Sequence, residues 1–266
     1  MTGSSRRGAA PRPPTPPPPR RPPPGLRPPA GAARGDGASS ARSPRRRLRR
    51  ALLRLALVAL LAPTVVIAAY RFVPPPVTPL MLIRLAEGDG LRREWMPLER
   101  ISPHLAEAAV AAEDNLFCRH SGFDWEALKG EITGALAGGR PRGASTISMQ
   151  TAKNILLWPG RDVLRKALEV WLTPQIELLW GKRRIIEVYL NVAEMGRGVF
   201  GAEAAARTHF GKPAEALTRR EAALLAAILP NPRERSPVGP SPFVDRRART
   251  LATRIEQLGP LLDCLR

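Results

Sequence analysis

Cysteine is nearly absent, with only Cys118 and Cys264 in a chain of 266 residues. Two are too few for a disulfide-built scaffold, and their spacing matches neither a zinc site nor a CxxC redox pair. The sequence leaves open whether they pair with each other. Aromatic residues are scarce at 5%, strand-like alternation is weak, and no internal repeat is visible, so a mainly α chain is expected. Acids are missing from the N-terminal fifth, where residues 1–54 hold 14 arginines and the single acid Asp36, giving +13 of the total charge of +19. The extreme charge therefore belongs to a tail, and the other 212 residues carry about +6.

What is present divides the chain into five stretches. Residues 1–50 are Pro, Arg, Gly, Ala and Ser in runs such as PPTPPPPRRPPPGLRPP, a composition that cannot bury a core and reads as a disordered tail. Residues 51–73 form an apolar span interrupted by Pro63, with Arg54 and Arg71 at its flanks. Its 23 residues are enough to cross about 30 Å of hydrocarbon as a helix. The arginine block before it keeps that side in the cytoplasm. A cleaved signal peptide and a buried core helix are the competing readings, although a basic region of some 50 residues is far longer than a signal peptide carries. The tail has no aromatic interleaving, so nucleic acid is not expected as a partner.

Residues 74–90 open with PPPVTP and read as a stiff linker. Helical periodicity then dominates, over Leu105–Asp114, Trp125–Leu136, Ser145–Leu157, Val163–Leu179, Arg183–Val192, Glu203–Thr208 and Arg219–Ile228, with Met81–Leu85 the best candidate for a strand. Residues 91–240 are expected to form the folded domain and 241–266 a helical tail.

Three clusters hold polar groups that a plain helical core does not need. In AAEDNLFCRHSGFD an apolar run ends at Glu113 and Asp114 before a turn at Gly122. A carboxylate there can be desolvated into a base, or the two acids can be a solvated pair with His120 capping the turn. In RGASTISMQTAKN, Arg142 to Asn154, Ser145 and Thr146 are cap-forming types, while Gln150, Lys153 and Asn154 fall near one helix face. Those donors suit an oxyanion such as phosphate, or they form the polar face of a capped helix. In RKALE, Arg165 and Glu169 are four apart, a spacing equally consistent with a surface ion pair.

Order and spacing together resemble the peptidoglycan glycosyltransferases of the lysozyme-like family, in particular the monofunctional biosynthetic transglycosylases. The matching strings are EDNLFCRHSGFD, GASTISMQTAKN, RKALE, KRRIIEVYLNVAEMGRGVFGAEAAARTHFGK and LTRREAALLAAILPNP, covering about residues 95–235. The resemblance implies a mainly α, lysozyme-like glycosyltransferase domain with a small membrane-facing lobe, preceded by one transmembrane helix. It implies polymerisation of lipid-linked disaccharide-peptide (lipid II) into glycan strands, with inversion and release of polyprenyl pyrophosphate. Glu113 then aligns with the general base and Asp114 with its supporting neighbour. Lys153 and Arg165 align with holders of the donor pyrophosphate, while Ser145, Thr146, Gln150 and Asn154 line its cradle. Glu169 aligns with a second motif carboxylate that either orients the cations and the acceptor or helps to bind a divalent ion. Lys182 and Glu187 to Asn191 look structural.

Two positions depart from or sit outside the pattern. Met149 stands where the family usually repeats glutamine, which implies altered donor packing. Cys118 occupies a variable position of the first motif and reads as a bystander.

Chemistry favours transfer over cleavage. A pyrophosphate leaves easily when cations meet its charge, so one base and a cationic clamp suffice, whereas a glycosidase expelling an alkoxide wants a second carboxylic acid. The alternatives are a lysozyme-like muralytic enzyme and an anchored scaffold without catalysis. No cofactor is expected to be obligatory, and a divalent cation, Mg or Mn, is the one candidate. The expected partners are lipid II, the nascent glycan, the membrane, and other cell-wall synthesis and division proteins. About 30 residues follow the last motif, too few for a transpeptidase domain, so crosslinking is expected of another protein. The expected location is the bacterial inner membrane, single-pass, with the N-terminus cytoplasmic and the catalytic domain periplasmic.

Overall fold

A computed structural model describes residues 44–136, 138, 143–160 and 162–265. Most of the Pro/Arg-rich tail and Arg142 lie outside the described residues. The chain divides into two units, Met1–Arg47 and Leu48–Arg266. Ten helices occur among the described residues: α1 Pro44–Tyr70, α2 Pro79–Ala86, α3 Pro103–Glu113, α4 Trp125–Leu136, α5 Ile147–Leu156, α6 Val163–Leu179, α7 Lys182–Val192, α8 Ala202–Phe210, α9 Arg219–Ile228 and α10 Pro242–Leu258. Three short strands, β1 Arg92–Arg93, β2 Glu194–Gly196 and β3 Val199–Phe200, form one sheet in the order β1-β3-β2. Parallel pairing joins β1 to β3, and antiparallel pairing joins β2 to β3. The mainly α expectation holds.

Small residues set the core. Helix α3 buries Ala106, Ala108, Ala109 and Ala111, and α9 buries Ala222, Ala223, Ala226 and Ala227. Short side chains on both faces let the two backbones approach closely where they pack. Helix α10 lays Val244, Ala248 and Leu251 on the same layer. On the other side of the domain α5 packs between α6 and α7, around Ile147, Ile155, Leu172, Ile176 and Ile185, all buried.

Three segments differ from the sequence reading. Met81–Leu85 is helical, because Thr78 caps Met81 N–H and Pro79 starts the helix. A short apolar run does not distinguish strand from helix by periodicity. The expected linker, residues 74–90, therefore holds α2, whose Met81 is fully buried. The expected tail, residues 241–266, is part of the core, and its end is tied back by a disulfide between Cys264 and Cys118. Cys118 is thus no bystander. By loop-closure entropy a bridge across 146 residues stabilises by about 5 kcal/mol.

Helix α1 is long and apolar enough to cross a membrane. It starts at Pro44, seven residues before the apolar span, because Arg and Leu are strong helix formers and Pro is tolerated in a first turn. Its last two turns are not free. Ile67 is fully buried, Thr64 Oγ1 donates to Gln175 at 2.7 Å, and the Trp180 indole N–H donates to Ile67 O at 2.8 Å. Arg184 donates to Tyr70 O and Val73 O, and Arg71 to Leu179 O. The helix is docked on α6 and α7 before the prolines begin. Removing residues 1–73 is therefore expected to cost about 3 kcal/mol relative to removing residues 1–62, from one exposed isoleucine site and one orphaned indole N–H. Thermal unfolding in detergent, with the longer truncation melting several degrees lower, checks this.

Candidate active site

The first cluster is mostly scaffold. Glu113 is the last residue of α3, and Asp114 closes the helix. Asp114 is buried, with its side chain 2% exposed. Its Oδ2 accepts the Ile147 N–H at 2.9 Å, and Oδ1 lies 2.9 Å from His120 Nε2. His120 Nδ1 accepts the Gly122 N–H at 3.2 Å, so Nε2 carries the proton and donates to Asp114. Gly122 has φ +96°, and a Cβ there would meet Thr173 Cγ2 at 2.9 Å. Only glycine turns here while lying against α6. Asp114, which the resemblance makes the supporting neighbour of Glu113, ties the end of α3 to the start of α5.

That tie brings Glu113 to α5. Thr146 caps the helix through Met149 N–H and donates to Gly122 O at 2.6 Å; it is buried, with a local structural part. Gln150 Nε2 donates to Glu113 Oε2 at 2.9 Å, and its Oε1 accepts from the Tyr189 hydroxyl at 3.4 Å. Glu113 has its pKa raised, chiefly by burial, against the opposing effects of Gln150, Arg247 and Lys153. Burial lowers Lys153 and pushes Tyr189 well up. The first motif acid is accordingly a partly desolvated carboxylate held by an amide, which is what a general base requires.

In RKALE, Arg165 and Glu169 are buried as well, while the Lys166 side chain is partly exposed. Asp162 caps the Arg165 N–H at 2.8 Å and starts α6. Glu169 is 2% exposed, and each of its oxygens takes a cation: Arg165 Nη1 at 2.5 Å and Lys166 Nζ at 2.6 Å. Lys166 Nζ also donates to Ser145 Oγ at 3.0 Å, linking α6 to the start of α5. Arg165 Nε is buried without a hydrogen-bond partner among the described residues. Both Glu169 oxygens are engaged by cations, so this carboxylate does not fit a divalent ion. Among the described residues no group of three or more His, Cys, Asp or Glu side chains converges as a metal site.

Three cavities surround these groups. One of about 240 Å³ is lined by Gln150, Lys153, Asn154, Tyr189, Arg84 and Glu194. A second, about 180 Å³, contains Glu113, Ser145, Thr146 and Arg254. The third, about 250 Å³, is apolar, walled by Phe123, Trp125, Leu128, Met149 and Val170, with Ser145 and Lys166 at its polar edge. Met149, the departure from the family pattern, thus faces the apolar cavity.

The transglycosylase family model matches residues 81–256. A Rhodospirillum centenum protein named biosynthetic peptidoglycan transglycosylase is 57% identical over 211 residues, 79% of this chain and 91% of that protein. One of the same name from Caulobacter vibrioides is 50% identical over 223 residues, 83% of this chain and 97% of its own. The chain belongs to the transglycosylase family. In this transglycosylase the matched region begins inside α2 and ends inside α10, so it includes segments that the sequence reading left outside the domain.

Several groups of this transglycosylase site were not singled out from sequence. Lys166 lies inside a quoted motif but was overshadowed by Arg165, four residues before Glu169. Tyr189 was read as structural and contacts Gln150. Arg247 and Arg254 come from α10, far from every motif string, and no local signal marks them. Lys182, read as structural, does hold the frame: its Nζ donates to Glu177 at 2.7 Å, and Glu177 also accepts from Ser148. Because Asp114 is buried with charge-assisted bonds, Asp114→Ala is expected to cost about 3 kcal/mol of stability. Glu113→Gln should leave stability within about 1 kcal/mol of wild type, measured as denaturant midpoints in detergent.

Proposed function

We propose that this transglycosylase polymerises lipid-linked disaccharide-peptide into peptidoglycan strands, with Glu113 as the general base that takes the proton of the acceptor hydroxyl. The observation that carries the reading is the pairing of one desolvated, cleft-facing carboxylate with a cluster of cations, Lys153, Arg165 and Lys166. A hydrolase would need a second carboxylic acid free to protonate an alkoxide. Glu169 is a poor candidate, since two cations already hold its oxygens. A leaving pyrophosphate requires cations instead, and inversion follows from a single displacement at the attacked carbon. Glu169 serves by orienting Arg165 and Lys166, and no metal or other cofactor is assigned a step. Ser145, Gln150 and Asn154 line the approach to those cations, while Asp114 and Thr146 act by holding α5 in place. The apolar cavity beside Lys166 and Ser145 suits an amphiphilic donor, with phosphates at the cations and hydrocarbon against Phe123, Trp125 and Leu128.

A lipid-linked substrate requires the site to meet the bilayer. Helix α1 serves as a single-pass anchor in the bacterial inner membrane, with the arginine-rich N-terminus in the cytoplasm and residues from about 74 onward in the periplasm. Two features support this placement. The Cys118–Cys264 disulfide suits an oxidising compartment. Helix α6, on which α1 is docked, exposes Val163, Leu164, Val170 and Leu178, the last at 84%, an apolar side unusual for a surface in water. Other cell-wall synthesis and division proteins are the remaining partners of this reading. Nucleic acid has no part in it.

Incubation of the detergent-solubilised full chain with lipid-linked disaccharide-pentapeptide is expected to give polymer. Glu113→Gln should lower the rate by about 10²–10⁴ with the fold retained; a folded variant turning over normally removes Glu113 from the mechanism. Since the base must be ionised and burial raises its pKa, kcat/KM should fall on the acid side at a pH above the usual carboxylate value of about 4.3. Lys153→Ala should impair donor use more than acceptor use, and equal effects on both would remove it from the clamp.

A further inference from the structure

The motifs account for one side of Glu113 and leave the other unexplained. Gln150 occupies Oε2. Across from it, Arg247 on α10 brings Nη2 to 4.0 Å from Oε1. Arg247 is partly buried, at 31% side-chain exposure, and its Nε has no hydrogen-bond partner among the described residues. Its other charged neighbours, Arg235 and Arg254, have the same sign, so Glu113 is the acid it answers. Arg254, two helical turns further along α10, donates to Ala111 O at 3.2 Å near the C-terminal end of α3. Helix α10 thus lays two guanidiniums along the end of the helix that carries Glu113, where the helix dipole favours cations.

We propose that Arg247 is a positioning residue that holds the Glu113 carboxylate ionised and turned toward the cleft. The inference rests on the reading of Glu113 as base. The charged and titratable groups around Glu113 are Asp114 beside it, Lys153 from α5, Tyr189 from α7 and Arg247 from α10, with Asp124 and Arg254 on the wall of the same cavity. Asp114 opposes ionisation, and Tyr189 keeps its proton. Lys153 is shared with Glu169, and burial lowers its pKa. A guanidinium stays charged throughout the working range, so Arg247 is the dependable counter-charge. The burial that raises the base would otherwise raise it further.

The test compares wild type, Arg247→Gln and Arg247→Lys as full-length protein in detergent. Two readings are taken: the pH dependence of kcat/KM with lipid-linked disaccharide-pentapeptide, and the ¹³C NMR titration of the Glu113 carboxyl, assigned with Glu113→Gln. Arg247→Gln is expected to move the acid limb and the carboxyl titration upward together by about one pH unit. The rate on the alkaline plateau should recover toward wild type, and Arg247→Lys should restore most of the shift. A neutral variant that loses rate equally at every pH, with the carboxyl titrating as in wild type, overturns the proposal. So does a Lys variant shifted as far as the Gln variant. Should Arg247→Gln not fold, Arg247→Met supplies both readings. The carboxyl titration does not depend on turnover, so failure of the base assignment is distinguishable: Glu113→Gln would remain active while the titration still reports on Arg247.

Discussion

The buried Asp114 carboxylate is the joint on which the site depends. It accepts the first backbone N–H of α5 and the His120 imidazole, so the end of one helix and the start of another are locked at a fixed offset. Glu113 and Gln150 meet only because of that offset. A carboxylate suits this joint because its oxygens accept several bonds at once and a negative charge is favourable at a helix N-terminus. The same turn depends on Gly122, whose positive φ and missing Cβ let the chain lie against α6, the helix that bears the cations.

Charge at the centre is matched locally and leaves little unbalanced. Glu169 is opposed by Arg165 and Lys166, Glu177 by Lys182, and Glu113 by an amide and a distant guanidinium. Glu113 is the least completely paired of these acids, and burial raises its pKa. A carboxylate clamped by two close cations is a poor proton acceptor, whereas one held at 4.0 Å and desolvated retains basicity. Under the proposed function, the division between supporting and reacting acids follows from how many cations each one touches.

Helix α1 and the domain that follows it are mechanically continuous. Helix α1 ends in contacts with Gln175, Trp180 and Arg184, and the apolar side of α6 lies beside that junction. Under the proposed function such docking has a use, because it would hold the cleft at one height above the hydrocarbon instead of leaving it on a loose tether.

The helical class, the apolar span, the charge asymmetry and the order of the catalytic motifs were all legible in the amino-acid sequence. They are local or periodic properties: a 3.6-residue repeat, an uncharged run, a cap, a fixed string. The division of labour within the strings was not legible. Glu113 and Asp114 are adjacent letters of the same chemistry, and only the packing of α5 against the end of α3 turns one to the cleft and buries the other. Met81–Leu85 reads equally as strand or helix until a cap and a partner surface decide it. The disulfide, Arg247 and Arg254 were beyond local reading, since they bring the last 25 residues against a loop and a helix more than 130 positions earlier. Contacts of that separation leave no periodic trace, and only the tertiary fold determines them.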